Sequence, residues 1–327
     1  MLTDVFSGDA FTVLSLTRGI LKAPYKPSRI AQLGLFNEEG VATTSIMIEE
    51  KDGQLSLVQT SPRGGTGVAP LVDTKRTARS FPARHLERES KIMADTVQGV
   101  RAFGSDNATE AVQAVVDKRL ATLRQMLEVT LEWHRVGAIK GQILDADGTT
   151  VLTDLYTEFD VTQQTAEIGA NPRTDCVEIM RMSEDELGAQ PVSGYRAFCG
   201  DDFFDQFIEL DAIRETLKYQ EGSVLRQDLR QGFVFGGITW ENYRGRVSGQ
   251  DFFPTGEAYV VPMGTDIFQT WFAPADFMET VNTIGLPMYA KMFIDRDLQR
   301  WAQVHAQSNP LAINTRPRAV VKVTIGT

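Results

Sequence analysis

The sequence predicts an α+β chain organised around one long helix and one extended two-stranded ribbon. Three stretches carry that reading. Residues 41–60, VATTSIMIEEKDGQLSLVQT, alternate in period two; residues 108–140 recur at helical spacing; residues 175–327 mix short helices with strands rich in β-branched and aromatic side chains. With 327 residues, 42% of them apolar, the chain has material for two medium domains or one domain with long extensions.

The first expected element is a short helix over Ala10–Leu21, stopped by the two prolines of KAPYKPSRI. In the 41–60 ribbon, Asp52-Gly53 at the midpoint is a hairpin signal, and two strands of about eight residues reach roughly 27 Å. A lone two-stranded ribbon is marginal in water, so this one is expected to rest on another body. Gly64, Gly65 and Gly67 in SPRGGTGVAP form a flexible connector. Next, Val112, Val116, Leu120, Leu123, Leu127 and Leu131 step by three or four, with Lys118, Arg124, Glu128 and Arg135 assigned to other faces and Asn107/Glu110 as a capping box. A helix over 108–140 spans roughly 50 Å, longer than a compact domain of this size needs. A second hairpin is predicted in QILDADGTTVLTDLYTEF, where Asp145 and Asp147 are turn formers, because the further ligands of a calcium loop are missing. Asp201 and Asp202 read as the first turn of a helix carrying Phe203, Phe204, Phe207, Ile208 and Leu217. FVFGGITWENYRG (233–245) reads as strand, glycine bend and strand, with EAYVVPMGT and RAVVKVTI as two more strands.

The net charge of −10 is unevenly spread. Residues 142–190 hold eleven acidic side chains against Arg173 and Arg181, whereas residues 74–91 hold Lys75, Arg76, Arg79, Arg84, Arg88 and Lys91 against Glu87 and Glu89. Complementary patches of this kind steer copies of a chain onto one another. The sequence carries no recognisable catalytic or cofactor signature. His85, His134 and His305 stand apart in sequence, Cys176 and Cys199 fit reduced buried thiols, GGTGVAP lacks the Lys-Ser/Thr of a phosphate loop, and no G-x-S-x-G elbow occurs. No catalytic residue, cofactor or metal ligand is therefore expected. The apolar runs fall far short of the roughly 18 residues of a membrane span, and the first fifteen residues lack the basic start of a secretory signal, so a cytosolic product is expected.

Taken in order, the segments LGLF, SPRGG, ADTVQGVRAFG, AIKGQILDADG, GITWENYRG, FAPADFMETVNTIGLPMYAK and QSNPLAINTRPRAVVKV resemble the tailed-bacteriophage major capsid proteins of the lambda head protein E type, over nearly the whole chain. That resemblance implies a Hong Kong 97-like capsid fold. Its parts are an N-terminal arm (1–36), an extended loop (37–90), a peripheral domain (91–165) with a spine helix at 108–140, an axial domain (166–304), and a C-terminal strand returning to the core (305–327). It also implies an icosahedral shell of pentamers and hexamers around double-stranded DNA bound without sequence specificity, with scaffolding, portal and decoration proteins as partners and assembly in the host cytoplasm. On that basis Arg63, Lys75, Arg76, Arg79 and Arg84, with Asp52 and Gly53 at the ribbon tip, are candidates for contact between subunits, arm and ribbon reaching across neighbours. Phe233, Phe235, Ile238, Trp240 and Tyr243 are candidates for packing the axial sheet. Two other readings compete: a nucleic-acid-binding architectural protein, which the acidic balance opposes, and a hydrolase using carboxylates such as Asp201 and Glu241.

Overall fold

The computed structural model describes residues 12–23, 28–51, 76–97, 108–219, 230, 232–247, 249–295, 297–298 and 300–326. Thr12 caps the first helix, α1 (Val13–Lys22), its hydroxyl accepting the Ser15 N–H at 3.3 Å. Helix α2 (Arg29–Leu33) ends at Gly34, whose φ of 59° is the left-handed conformation a helix stop favours. Strands β1 (Asn37–Gly40), β2 (Ser45–Lys51), β3 (Arg76–Pro82) and β4 (Leu86–Met93) follow. After a single turn, α3 (Ala94–Val97), comes the 33-residue helix α4 (Ala108–Lys140), with the limits its spacing predicts. Chain contacts divide the molecule into two compact units, and α4 contributes to both.

The first unit comprises the described parts of Met1–Ile46, Pro82–Arg135 and Phe268–Ile313. Its antiparallel sheet has the order β15 (Tyr289–Ile294), β16 (Trp301–Ser308), β4. Ile92, Ala290, Val304 and Ala306 from one face of that sheet pack with Leu16 and Ile20 of α1 and the apolar stripe of α4. A smaller sheet places β14 (Phe268–Phe272) between β1, parallel to it, and β17 (Pro310–Asn314). Leu16, Ile20 and Ile30, within the expected arm (1–36), are core residues, and the apolar face of α1 buries against α4. The segment 268–304, expected in the axial domain, clusters with this unit, since β16 pairs with both β15 and β4.

Three charged side chains of α4 are buried in the same unit, although periodicity assigned Arg124 and Arg135 to outward faces. Arg124 Nη1 donates to the carbonyls of Ile20, Leu21 and Ala23 at 3.0, 2.5 and 2.8 Å, at the end of α1. Glu132 Oε1 accepts the Ile30 N–H at 2.8 Å in the first turn of α2. Arg135, 2% exposed, pairs with Glu38 at 2.5 Å and lies 5.8 Å from the Phe36 ring centroid. A cation therefore meets a helix C-terminus and an anion a helix N-terminus, the signs that the backbone dipole favours.

The second unit comprises the described parts of Met47–Phe81, Val136–Ile267 and Asn314–Thr327. A hairpin, β5 (Gln142–Leu144) and β6 (Val151–Asp154), turns at Asp147-Gly148 as predicted. The Asp147 carboxylate accepts both the Thr149 and Thr150 N–H at 2.9 Å, which makes it a turn former. A short turn, α5 (Leu155–Glu158), leads into β7 (Gln164–Ile168), α6 (Pro172–Leu187), β8 (Gly194–Cys199), α7 (Asp201–Glu209) and α8 (Asp211–Tyr219). Then come β9 (Phe233–Phe235), β10 (Ile238–Asn242), the two-residue strands β11 (Arg246–Val247) and β12 (Gln250–Asp251), β13 (Ala258–Met263) and β18 (Val321–Ile325). Six strands form one mixed sheet in the order β7-β18-β13-β8-β10-β9, the C-terminal strand lying between β7 and β13. In the predicted 41–60 ribbon, the described partner of β2 is β3, across residues 52–75, and Asp52-Gly53 lies outside the described residues.

Candidate functional site

The aromatic stretch 233–245 lies in the six-stranded sheet. Alternation along β8, β10 and β13 sends Ala197, Cys199, Ile238, Trp240, Ala258 and Val260 to one face, where Phe203, Phe204 and Phe207 of α7 meet them. Phe233 and Phe235 join this face from the edge strand β9, which pairs with β10 in the register Trp240↔Phe233. The Trp240 ring centroid is 4.3 Å from that of Phe207 and 6.0 Å from that of Phe203, and its indole N–H donates to Phe235 O at 3.1 Å. The bend between the strands requires glycine. Gly236 has φ 62°, and a Cβ there would meet the Cys176 side chain at 2.6 Å. Tyr243 belongs to a different aromatic group, with Phe198 at 5.9 Å and Phe253 at 5.2 Å between ring centroids. All five aromatic-segment candidates are buried.

The other face of the sheet holds charges that no local pattern announces. Arg196 and Glu241, neighbours on the parallel strands β8 and β10, form a 2.5 Å ion pair with Glu241 only 4% exposed. Glu257 pairs with Lys322 at 2.5 Å and accepts from the Tyr259 hydroxyl at 2.8 Å. The carboxylates weighed for hydrolysis are thus engaged: Glu241 by Arg196, and Asp201 by Arg244 at 3.3 Å and Asn242 at 3.1 Å. Burial pushes the Cys176 thiol up to about 12 and that of Cys199 well above its ordinary value, which leaves both as poor nucleophiles. Among the described residues, no group of three or more His, Cys, Asp or Glu side chains is arranged to hold a metal ion.

Lys140, the last residue of α4, is pushed down to about 8 by burial, with Glu257 opposing the shift. An unfolded lysine titrates near 10.4, so between those values the unfolded chain binds more protons than the folded one and stability rises with pH. Below about 8 the charge is buried at a cost, which Lys140→Met removes while keeping the aliphatic stem. The variant is expected to gain roughly 1–2 kcal/mol at pH 7 and to lose the rise between pH 8 and 10, as read by urea unfolding at several pH values. Equal stability of both proteins at pH 7 contradicts this account.

The contact candidates fare unevenly. Asp52, Gly53, Arg63 and Lys75 lie outside the described residues, and Arg76 opens β3. The Arg79 guanidinium lies 5.2 Å from the centroid of the Phe159 ring, and Phe81 packs on the same ring, so Arg79 serves its own unit. Arg84 is half-buried, and its N–H donates to Pro310 O at 2.9 Å. Two histidines that stand apart in sequence converge here. His85 Nε2 and His305 Nε2 each lie 3.2 Å from Glu87 Oε2, and His85 Nδ1 lies 2.8 Å from Asn309 Oδ1. These hydrogen bonds, that to His85 first and that to His305 second, hold the Glu87 carboxyl below its usual range. The signal was out of reach of motif reading because 218 residues separate Glu87 from His305, which the β4–β16 pairing brings together.

A 33-residue helix, a six-stranded mixed sheet and a separate two-stranded β2–β3 pair belong to the Hong Kong 97-like α+β class of phage capsid folds. A crystal structure assigned as a prophage capsid protein of Escherichia coli CFT073 superposes with a TM-score of 0.57 at 14% identity, covering 96% of this chain and 99% of that one. The chain belongs to the phage major capsid protein E family, whose model matches residues 12–325. It is 28% identical over 342 residues to the major capsid protein of Pseudomonas phage KPP10, covering 95% of this chain and 96% of the relative. The major capsid protein of Salmonella phage Felix O1 is 26% identical over 354 residues, covering 96% of each chain.

Proposed function

We propose that this major capsid protein assembles with copies of itself into an icosahedral shell of pentamers and hexamers that encloses double-stranded DNA. The role is mechanical, without catalysis or cofactor. The match of the capsid family model to residues 12–325 carries the reading. In this account α4 is the spine, the second unit's sheet and helices form the axial body, and the β2–β3 extension reaches a neighbouring copy. A scaffolding protein guides assembly in the host cytoplasm, and portal and decoration proteins complete the virion. Head-to-tail contacts that close by rotation produce such rings, and lasting interfaces of this type bury more than about 2,000 Å². Electron microscopy of the chain expressed alone, and beside its neighbouring genes, is expected to show closed particles. Dispersed monomers under both conditions defeat the reading.

The charge asymmetry supplies a candidate steering force. Within the acidic stretch 142–190, Asp145, Asp147, Glu158, Glu178, Glu184 and Asp185 are exposed, and the basic segment beginning at Lys75 and Arg76 is their proposed complement on a neighbour. Arg79 is left out of the test because Phe159 engages it within the chain. Reversing charge with Lys75→Glu and Arg76→Glu is expected to cut shell yield at least tenfold while the circular dichroism of the dissociated subunit stays the same. Shells at the normal yield remove the electrostatic part of the proposal.

A further inference from the structure

We infer that the loop between β14 and β15, centred on Met278, Val281 and Ile284, is a preformed contact through which one copy of this chain docks on another. The inference rests on the shell reading above and names a surface that it uses. Met278 is 90% exposed, Val281 59%, Ile284 69% and Leu286 38%, four large apolar side chains within nine positions. The loop is built inside out. Its polar Thr280 is buried, the hydroxyl lying 2.7 Å from Ala275 O and 3.0 Å from Phe277 O, while the apolar neighbours on either side face solvent. Exposure of a contiguous apolar patch is costly in a monomer and marks an interaction site.

The loop is also rigid. Thr283 Oγ1 donates to Thr280 O at 2.8 Å, and the Leu286 N–H donates to the Tyr289 hydroxyl at 2.8 Å. The Gly285 N–H donates to Val41 O at 2.9 Å, and a Cβ on Gly285 would overlap the carbonyl of Phe272, so the main chain packs where only glycine fits. A main chain held this firmly loses little further freedom on docking, which is how preorganisation adds affinity.

A second copy is the occupant that charge and area select. The chain carries a net charge of −10, so identical copies repel on average and favour contact where local charge is cancelled. Glu279, the acid inside the loop, is cancelled by Lys291 at 2.8 and 3.0 Å. Four side chains alone are too few for a stable interface, which takes about 800 Å² per partner. The remainder lies beside it: Thr280, Val281 and Asn282 also border a cavity of about 710 Å³ walled by Thr43, Thr44 and Ser45. Patch and cavity give the apolar centre and polar margin of a protein interface.

The test places one thiol on the loop with Met278→Cys, a fully solvated position whose change leaves the fold intact, in a chain whose own Cys176 and Cys199 are buried. Maleimide is expected to react with the introduced thiol at least tenfold faster in dissociated subunits than in shells made from this chain alone. In parallel, Val281→Asp with Ile284→Asp is expected to leave the subunit's melting temperature in place and to reduce shell yield at least tenfold. Shells in which the thiol reacts as fast as in free subunits, or is shielded only when other virion proteins are present, overturn the loop's role while the shell reading stands. A wild-type chain that never assembles overturns both.

Discussion

Trp240→Ala is expected to lower the unfolding free energy of the dissociated subunit by roughly 3–5 kcal/mol, the cost of emptying a large aromatic site in a packed core. The indole is fully buried between strands β8–β10 and helix α7, in ring contact with Phe203 and Phe207. Those two rings are anchored by their own helix and by the edge strand, so the site collapses poorly and the cavity persists. Loss of the indole N–H adds a second penalty, because Phe235 O is left without its 3.1 Å donor beside the glycine bend. Each kcal/mol lowers the melting temperature by roughly 2–4 °C in a body of 150–250 residues, so thermal circular dichroism should register a fall of about 10 °C. Trp240→Phe separates the terms, keeping most of the packing and losing only the donor, at roughly 1–2 kcal/mol. If Trp240→Ala melts like the wild type and fails only in assembly, the indole belongs to a contact between copies and the core assignment is wrong.

What the residues disclose about this fold divides by the range of the interaction. Helix α4 and the β5–β6 hairpin are written in local periodicity and in an Asp-Gly turn, and both appear where those signals place them. The strand–glycine–strand of 233–245 is equally local, because β9 and β10 pair with each other directly. Pairings between distant segments leave no such mark. Nothing in 41–60 indicates that β2 takes its partner from 76–82, and nothing in 268–304 indicates that its strands add to β4. The candidate site follows the same rule: the burial of Phe233 and Trp240 could be argued from aromatic density, but the convergence of His85 and His305 on Glu87 exists only once β4 and β16 are joined.

Helix α4 shows a further limit, and it exposes the second large effect. An apolar stripe of one residue in three or four defines one buried face, and everything else on the helix then reads as solvated. In the structure α1, α2 and β1 meet the helix with polar ends, so the residues that bury against them are an arginine, a glutamate and another arginine. Burial on this side is paid for in hydrogen bonds to main-chain groups and, for Arg135, an ion pair with Glu38, which hydropathy does not register.

Arg124→Met should therefore destabilise the first unit by about 3 kcal/mol although methionine keeps the stem and the helix propensity. One guanidinium nitrogen serves the carbonyls of Ile20, Leu21 and Ala23, at the negative end of the α1 dipole. Removing it takes a donor from the buried Ile20 carbonyl and from the part-buried carbonyls of Leu21 and Ala23. It also strips the nearest cation, 3.7 Å away, from Glu128, whose pKa is already raised by burial and restrained by Arg124. With the restraint gone that pKa rises further above the unfolded value near 4.3. The variant's deficit should then be smaller at pH 5, where Glu128 takes up a proton in the fold, and larger at pH 8, where a carboxylate must stay buried with only Arg135 to offset it. Arg124→Lys should restore only part of the loss, since a single ammonium cannot both serve these carbonyls and take the place of the Nε that faces Glu128 at 3.7 Å. Hydrogen exchange supplies the local readout: the amides of α1 should lose protection in Arg124→Met while those of β8 and β10, in the other unit, keep theirs. Unchanged protection in α1, or a deficit independent of pH, would show that the guanidinium merely fills space at the foot of the helix.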